Sequence, residues 1–282
     1  MALNYHTHAK RPVPRSNIRI FLGKLYFTWR RYFVWAFNRS IKYASSFKTI
    51  DFTNIVTSHK TPLYRRLQNV DMWLQENKVT NLKLASEKLN GIIVKPGETF
   101  SFWLLVGKPT KAKGFLEGMV LTNGSFTAGV GGGLCQLSNL IYWMTLHTPL
   151  TVTERWRHTH DIFPDASRTQ PFGSGATVVY NYVDLQIRND TPYEYQLKVR
   201  VGENDLEGEW WSKQPCPFKY QIYESGHLIK QEWWGGYMRH NVIRRSVFDQ
   251  NGNSIADELV TENHAIMMYE PLLPEANDNV EA

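Results

Sequence analysis

The sequence predicts an α+β fold in which a buried, Cys-bearing helix packs on an antiparallel β-sheet, with an N-terminal amphipathic helix and a β-rich C-terminal extension. Three observations predict it. The segment from Leu134 to His147 is apolar on almost every side, which is typical of a buried helix. An aromatic segment near the N-terminus has helical spacing. Beyond residue 176, short alternating runs are separated by turn residues, as in antiparallel strands.

The size of the chain allows one large domain or two small ones. It has 282 residues, of which 42% are apolar, so a sizeable core can form without disulfides. We expect a basic arm in residues 1–50, an α+β core in 51–210 and a β-rich extension in 211–282. Only two cysteines, Cys135 and Cys216, are present. They do not predict a disulfide framework, and the count fits a reducing compartment.

Positive charge is concentrated in the arm. Residues 1–50 contain ten Lys or Arg and no acidic residue, whereas the whole chain has a net charge of +6. The remaining 232 residues therefore hold 22 basic and 26 acidic side chains, a net charge of −4. A mildly acidic body argues against nucleic acid as a partner.

The first predicted element is a long amphipathic helix from about Asn17 to Ser45. Eight aromatic residues lie between Phe21 and Phe37 among Lys and Arg, a composition typical of a helix at an anionic membrane surface. The alternative is a helix that packs on its own domain through Phe21, Leu25, Trp29 and Phe33. Charged residues interrupt the apolar run, so neither a secretory signal nor a membrane span is expected. We expect a cytoplasmic protein, with peripheral contact at the inner membrane face as one alternative.

The next elements alternate between helix and strand. Residues 60–89 are predicted to be helical, with Thr80 or Asn81 capping a short helix that Gly91 ends. Pro96-Gly97 separates two predicted strands, Ile92–Val94 and Thr99–Val106. A polar loop over residues 108–118 then leads to a hairpin whose turn is Asn123-Gly124.

The Cys-bearing helix is predicted to end at Thr148-Pro149, and the rest of the chain to be mainly β-structure. Residues 150–156 are predicted to form a strand, and residues 177–188 and 193–201 a hairpin. Further short strands are predicted over residues 220–224, 227–234, 242–248 and 258–262.

Cys135 is the first candidate for a functional residue. It follows a glycine-rich run, Gly129-Val-Gly-Gly-Gly-Leu, and begins the buried helix. The N–H groups and positive dipole at a helix N-terminus favour a thiolate and can hold an anion or an oxyanion. We therefore assign candidate binding roles to Gly131, Gly132, Gly133 and Gln136.

A general base is expected from the segment that follows the next strand. His158 and His160 are two residues apart, so in an extended segment both point to the same side. Either could activate Cys135, and Asp161 or Asp165 could orient the ring. This combination predicts a cysteine nucleophile with a histidine base.

Two other interpretations remain open for these residues. Cys135, His158, His160 and one aspartate could bind zinc, but the spacing is not that of a standard finger or ribbon, and we expect neither a metal nor another cofactor. Alternatively, Cys135 is a small buried apolar residue and the histidines are ordinary surface residues. Cys216, between two prolines, is interpreted as structural or incidental.

Several blocks of the sequence resemble the VanW family. The most characteristic is Gly131-Gly-Gly-Leu-Cys-Gln-Leu-Ser-Asn139. Matching segments lie between about residues 60 and 205 and include Asn81–Gly91, Lys95–Trp103, Leu146–Leu150, Glu154-Arg155 with His158, and Gly175–Val178. Many members carry an aspartate just before the Ala-Thr-Val block, where this sequence has Gly175, so the resemblance implies that Asp161 or Asp165 would have to replace it.

The resemblance implies a cell-envelope role connected with glycopeptide resistance. Together with the Cys-His pattern, it leads us to expect a thiol-dependent hydrolase or acyltransferase that acts on peptide-like envelope material. Cys135 would be the nucleophile and His158 the base, supported by His160 and Asp161. The alternative is a non-catalytic protein whose glycine-rich helix N-terminus holds an anionic or peptide-like envelope ligand.

Overall fold

A computed structural model describes residues 13, 15–47, 52–64, 71–122, 125–162 and 170–270, without the side chains of residues 122, 125 and 126. Four α-helices lie in this part of the chain. They are α1 (Asn17–Phe37), α2 (Met72–Leu89), α3 (Phe102–Val106) and α4 (Cys135–Thr145). None of these helices is long and apolar enough to cross a bilayer.

Fifteen β-strands make up most of the remaining regular structure of the described residues. The first nine are β1 (Lys42–Tyr43), β2 (Ser46–Phe47), β3 (Asn54–Pro62), β4 (Ile92–Val94), β5 (Glu98–Ser101), β6 (Glu117–Thr122), β7 (Ser125–Val130), β8 (Thr151–Glu154) and β9 (His160–Asp161). The others are β10 (Gln186–Arg188), β11 (Tyr195–Val201), β12 (Asp205–Ser212), β13 (Lys219–Gln231), β14 (Tyr237–Phe248) and β15 (Ser254–Met267).

The strands form three larger sheets and one hairpin. The first sheet has the order β1-β5-β10-β8, and the second is antiparallel throughout, in the order β2-β4-β11-β12-β3. The C-terminal sheet has the order β13-β14-β15-β9, where β9 is parallel to β15. Strands β6 and β7 form the separate hairpin. The predicted α+β class is therefore confirmed.

Helix α4 packs against β12 and β3 of the second sheet. Leu137, Leu140 and Ile141 on this helix are fully buried. Gly208 of β12 lies beneath the helix, and a Cβ there would come within 2.6 Å of the Met144 side chain. Glycine at this position allows the helix to approach the sheet closely, which puts Cys135 at the edge of the main core.

The N-terminal segment forms a shorter helix than predicted. Helix α1 begins after Ser16, whose hydroxyl accepts the Arg19 N–H at 3.4 Å, and it ends at Phe37. The residues up to Ser45 do not continue it, because β1 joins β5 and β2 joins β4, with Ala44 buried between them. Residues 42–47 thus belong to the sheets of the body.

The prediction of helix over residues 60–89 was correct only for its second half. Residues 54–62 form β3, whose partner is β12, and the helix begins at Met72 after Asp71. Asn81 is therefore not a cap. It is buried in the middle of α2, and its amide group hydrogen bonds to the backbones of Leu116 and Gly132. The predicted end at Gly91 is confirmed.

Three other elements differ from the prediction. The predicted strand over residues 99–106 turns into α3, because the Ser101 hydroxyl accepts the Leu104 N–H and caps a helix there. The predicted hairpin of residues 177–188 and 193–201 is wrong. Only residues 186–188 of the first half form a strand, and β10 and β11 lie in different sheets. Strand β12 was not predicted.

Candidate functional site

The glycine run before α4 is shaped by close backbone packing. Gly131 and Gly133 have positive φ angles of 78° and 92°. A Cβ on Gly132 would overlap the backbone of Gly118, and one on Gly133 would overlap the Lys78 side chain. These glycines therefore let the start of α4 rest directly on β6 and α2.

The candidate binding residues are partly engaged by the chain itself. The N–H groups of Gln136 and Leu137 donate to the carbonyls of Gly133 and Leu134, at 3.0 and 3.1 Å. The Gln136 side-chain amide donates to Thr61 Oγ1 at 3.0 Å and to the Pro62 carbonyl at 2.9 Å. Gln136 thus ties the first turn of α4 to the end of β3.

Cys135 is the first residue of α4, as the sequence predicted. Its Sγ lies 3.7 Å from the Val178 carbonyl oxygen, to which the thiol donates a weak hydrogen bond. Burial raises the pKa of the Cys135 thiol. The group is therefore a neutral thiol at pH 7 in this structure.

The candidate base residues lie in the segment that runs into the C-terminal sheet. His160 and Asp161 form β9, which pairs with Ile266 and Met267 of β15. The ring nitrogen Nδ1 of His160 lies 2.9 Å from Thr159 Oγ1. Burial lowers the pKa values of His158 and His160, and the neighbouring His160 lowers that of His158 further. Both rings are therefore neutral at pH 7.

Asp161 makes an ion pair rather than orienting an imidazole. Its Oδ2 accepts hydrogen bonds from Arg239 Nη1 at 3.3 Å and from the Tyr269 hydroxyl at 2.8 Å. Both Asp161 and Arg239 are buried, so this pair holds β9 against β14. The other candidate, Asp165, lies outside the described residues.

The structure does not assemble the predicted Cys-His-Asp arrangement among the residues that it describes. No hydrogen bond joins Cys135 to His158 or His160 there, and Asp161 is engaged by Arg239. The histidine segment is held by another contact, since β9 pairs with β15 of the C-terminal sheet. Likewise, no group of three or more potential metal ligands occurs among the described side chains.

Gly175 occupies the position where the family resemblance led us to consider an aspartate. A Cβ there would lie 2.8 Å from Asn139 Oδ1, which accepts the N–H of Ala176 at 2.6 Å. Arg155 Nε donates to the Gly175 carbonyl at 2.8 Å. The Asn139 amide thus fills the space that a side chain at position 175 would need.

A cluster of buried charged groups was not predicted. Glu154 Oε1 accepts hydrogen bonds from Arg31 Nη2 at 2.5 Å and from the Asp184 N–H at 3.2 Å. Burial raises the pKa of Asp184 to about 6, although hydrogen bonds from the Ser101 hydroxyl and the Trp103 N–H lower it. Arg31, Glu154 and Asp184 are called the Arg31 cluster below.

Carboxyl groups with such pKa values are common at functional sites, but structural ion pairs also produce them. The available sequence signal was an isolated acid between apolar neighbours, Val183 and Leu185. It did not reveal that Arg31, more than 120 residues away from Glu154 in the chain, pairs with Glu154 beside Asp184.

Comparison with known proteins shows which sequences this chain is similar to. Residues 77–211 match the family model described as "VanW like protein". The chain is 38% identical over 220 residues to the Vancomycin B-type resistance protein VanW of Enterococcus faecalis, covering 78% of this chain and 79% of that protein. It is also 31% identical over 121 residues to the uncharacterized protein YoaR of Bacillus subtilis, covering 43% of this chain and 38% of YoaR.

No solved structure matches this chain. The matched region includes the glycine run, α4 and the Glu154 to Asp184 segment, but not α1 or strands β13, β14 and β15. With 38% identity over more than three quarters of both chains, the relationship to the enterococcal protein extends well beyond a single motif. This chain belongs to the VanW family.

Proposed function

We propose that this chain is an accessory protein of glycopeptide resistance that binds a peptide-like or anionic ligand of the cell envelope without covalent chemistry at Cys135. Its identity with the enterococcal resistance protein supports the resistance context. The observation that carries the non-catalytic part is the state of Cys135. Its thiol donates to the Val178 carbonyl, and burial raises its pKa.

The start of α4 is the proposed ligand site. Gly131, Gly132, Gly133 and Gln136 lie there, and the positive φ angles at Gly131 and Gly133 turn successive amides in the manner of anion-binding backbone nests. The positive end of the α4 dipole adds to this preference. The N–H groups of Gly131, Gly132, Gln136 and Leu137 already donate to backbone carbonyls, which makes the site less polar than a fully open helix end.

A thiol-dependent hydrolase or acyltransferase is the second candidate. It is favoured by the position of Cys135 as the first residue of α4, where the helix dipole assists a thiolate. For it to operate, the thiol would have to leave Val178, and His158 or His160 would have to approach it. The two candidates therefore differ in whether Cys135 must act as a thiolate.

The test is a comparison of Cys135→Ala and Cys135→Ser in a host whose glycopeptide resistance depends on this chain. A binding role predicts that Cys135→Ala keeps the minimum inhibitory concentration of the glycopeptide within about twofold of the wild-type value, because alanine keeps most of the packing. Loss of resistance in both variants, with both proteins folded by circular dichroism, would overturn the non-catalytic proposal.

Two measurements on the purified protein complete the test. In a Cys216→Ser background, we expect iodoacetamide to alkylate Cys135 at pH 7.5 at least tenfold more slowly than it alkylates the urea-unfolded chain, because a raised pKa leaves little thiolate. Titration with muropeptides and inorganic phosphate should shift the amide resonances of Gly133, Leu134 and Cys135. Unshifted resonances with both probes would exclude this ligand site.

A further inference from the structure

Helix α1 has one side attached to the body. Arg31 Nη2 pairs with Glu154 at 2.5 Å and the Tyr32 hydroxyl lies 2.8 Å from that of Tyr180. The Asn181 amide donates to the Thr28 carbonyl at 3.3 Å, and Trp35 packs on the main core. These contacts fix the rotation of the helix about its axis.

Another side of α1 is apolar and exposed. We call it the outer face and define it by Phe21, Leu25, Trp29, Phe33 and Phe37. Phe21, Trp29 and Phe33 are each about two-thirds exposed, at 65, 66 and 64%. A shallow groove on the helix continues this surface and is lined by Tyr26, Trp29, Arg30, Tyr32, Phe33, Ala36 and Phe37. Contiguous apolar surface of this kind marks an interaction site.

The charged side chains of α1 and of the residues that follow it are all positive. Helix α1 contains no acidic residue, and Arg19, Lys24, Arg30 and Arg39 are exposed. No ion pair engages any of these four within the described part of the chain, whereas Arg31 and Lys42 pair with Glu154 and Glu98. The unpaired bases therefore leave a positive potential beside the aromatic rings.

We propose that the outer face of α1 inserts into the interface of an anionic lipid bilayer, with the helix axis parallel to the membrane. Aromatic rings at the headgroup level and flanking bases are the features that such a helix requires. A second copy of the chain fits less well, because its own α1 would bring more bases and no acids. The proposal is independent of the ligand site at α4.

The experiment is co-sedimentation of the full chain with vesicles of phosphatidylcholine alone or with 30% phosphatidylglycerol, as probes chosen for their charge. We expect binding to the anionic vesicles at low salt and release at about 0.5 M NaCl, where the screening length is well below 10 Å. The triple variant Arg19→Gln, Lys24→Gln, Arg30→Gln should lower the partition coefficient by roughly a hundredfold.

Two further variants separate the contributions. The matched control Lys83→Gln, Lys88→Gln, Lys108→Gln removes the same charge from exposed positions outside α1 and should leave binding nearly unchanged. Trp29→Ser with Phe33→Ser keeps every base and should lower binding at least tenfold without changing the melting temperature, because both side chains are already exposed.

The proposal is overturned if the wild-type chain stays in the supernatant with anionic vesicles at low salt. Equal loss of binding in both charge triples would also overturn it, because binding would then depend on net charge alone. The outer face would instead be assigned to a second copy by two results together. The wild-type chain would fail to bind vesicles, and light scattering would show a dimer that the double variant Trp29→Ser, Phe33→Ser converts to a monomer.

Discussion

The thiol of Cys135 shows how its surroundings control the chemistry of one side chain. Its position at a helix N-terminus favours a thiolate, yet burial raises its pKa and the Val178 carbonyl accepts a hydrogen bond from the neutral thiol. The nearby glycines, which favour a reactive thiol when read from sequence, are explained here by the backbone packing of Gly132 on Gly118. The local sequence pattern alone could not distinguish glycines that activate a thiol from glycines that allow close backbone packing.

Asp184 is another side chain whose ionisation is controlled by burial. Its pKa of about 6 in the folded chain lies above the ordinary value, so between about pH 4 and 6 the native state binds more protons than the unfolded state. The free energy of unfolding should therefore fall as pH rises through this window. Arg31 opposes the shift, because its positive charge favours the carboxylate.

The expected result is that Asp184→Asn reduces this pH dependence. The wild type should lose up to about 3 kcal/mol between pH 4 and pH 7 from this group, and the variant should lack that loss. Urea unfolding of both proteins at the two pH values gives the pH-dependent change in unfolding free energy of each. The difference between the two changes isolates Asp184, because the other titrating groups contribute equally to both. Parallel pH profiles for the two proteins would contradict the prediction.

At the scale of single elements, the sequence predicted those with strong local signals. Helix α4, the β6–β7 hairpin and the stop at Gly91 follow from apolar periodicity and turn residues. Residues 60–62 and 177–185 were assigned wrongly, because their conformations depend on partners distant in the chain. Strand β3 forms on β12, and within residues 177–188 only Gln186–Arg188 forms a strand, which pairs with β5 and β8.

The candidate site was predictable only in part. The start of α4 was predicted correctly because its determinants are adjacent in sequence. The strand partners of the histidine segment depend on distant residues, since His160 pairs with Ile266 and Asp161 with Met267 of β15, and nothing within residues 150–165 encodes these pairs.

The glycine loop before α4 provides a test at this scale. Gly132→Ala should destabilise the chain by about 3 kcal/mol or more, because its Cβ would overlap the Gly118 backbone, which cannot move without displacing β6. Gly97→Ala is the matched control. Its φ of 76° is strained for alanine, but its Cβ would meet nothing within 4 Å, so we expect a loss of only about 1 kcal/mol.

Chemical denaturation of the two glycine variants with identical protocols gives the comparison. A Gly132→Ala variant that is no less stable than Gly97→Ala would show that the backbone approach at Gly118 has room to relax.

At the scale of the whole molecule, the Arg31 cluster links α1 to the body. The side chains of Arg31 and Glu154 are only 13 and 20% exposed, so neither can easily regain water if the other is removed. The cluster is therefore one of the contacts that fix the orientation of α1 on the body.

Arg31→Met should lower the free energy of unfolding by about 1–3 kcal/mol, and the double variant with Glu154→Gln should lose less than the sum of the single variants. Thermal and urea unfolding of the full cycle measures this coupling. Arg188→Met is the control, because its pair with Asp190 is exposed at 49 and 43% and should change stability little. Additive losses at Arg31 and Glu154 would argue against the link.

The place of β3 at the edge of the second sheet has a consequence for the synthesis of the chain. Its hydrogen-bonding partner is β12, so residues 54–62 cannot pair until residues 205–212 have been synthesised. At the usual pace of translation, the roughly 140 intervening residues take about 7 to 30 s to emerge from the ribosome. During that interval residues 54–62 have no strand partner in the nascent chain, so their backbone groups are open to pairing with other chains or to binding a chaperone.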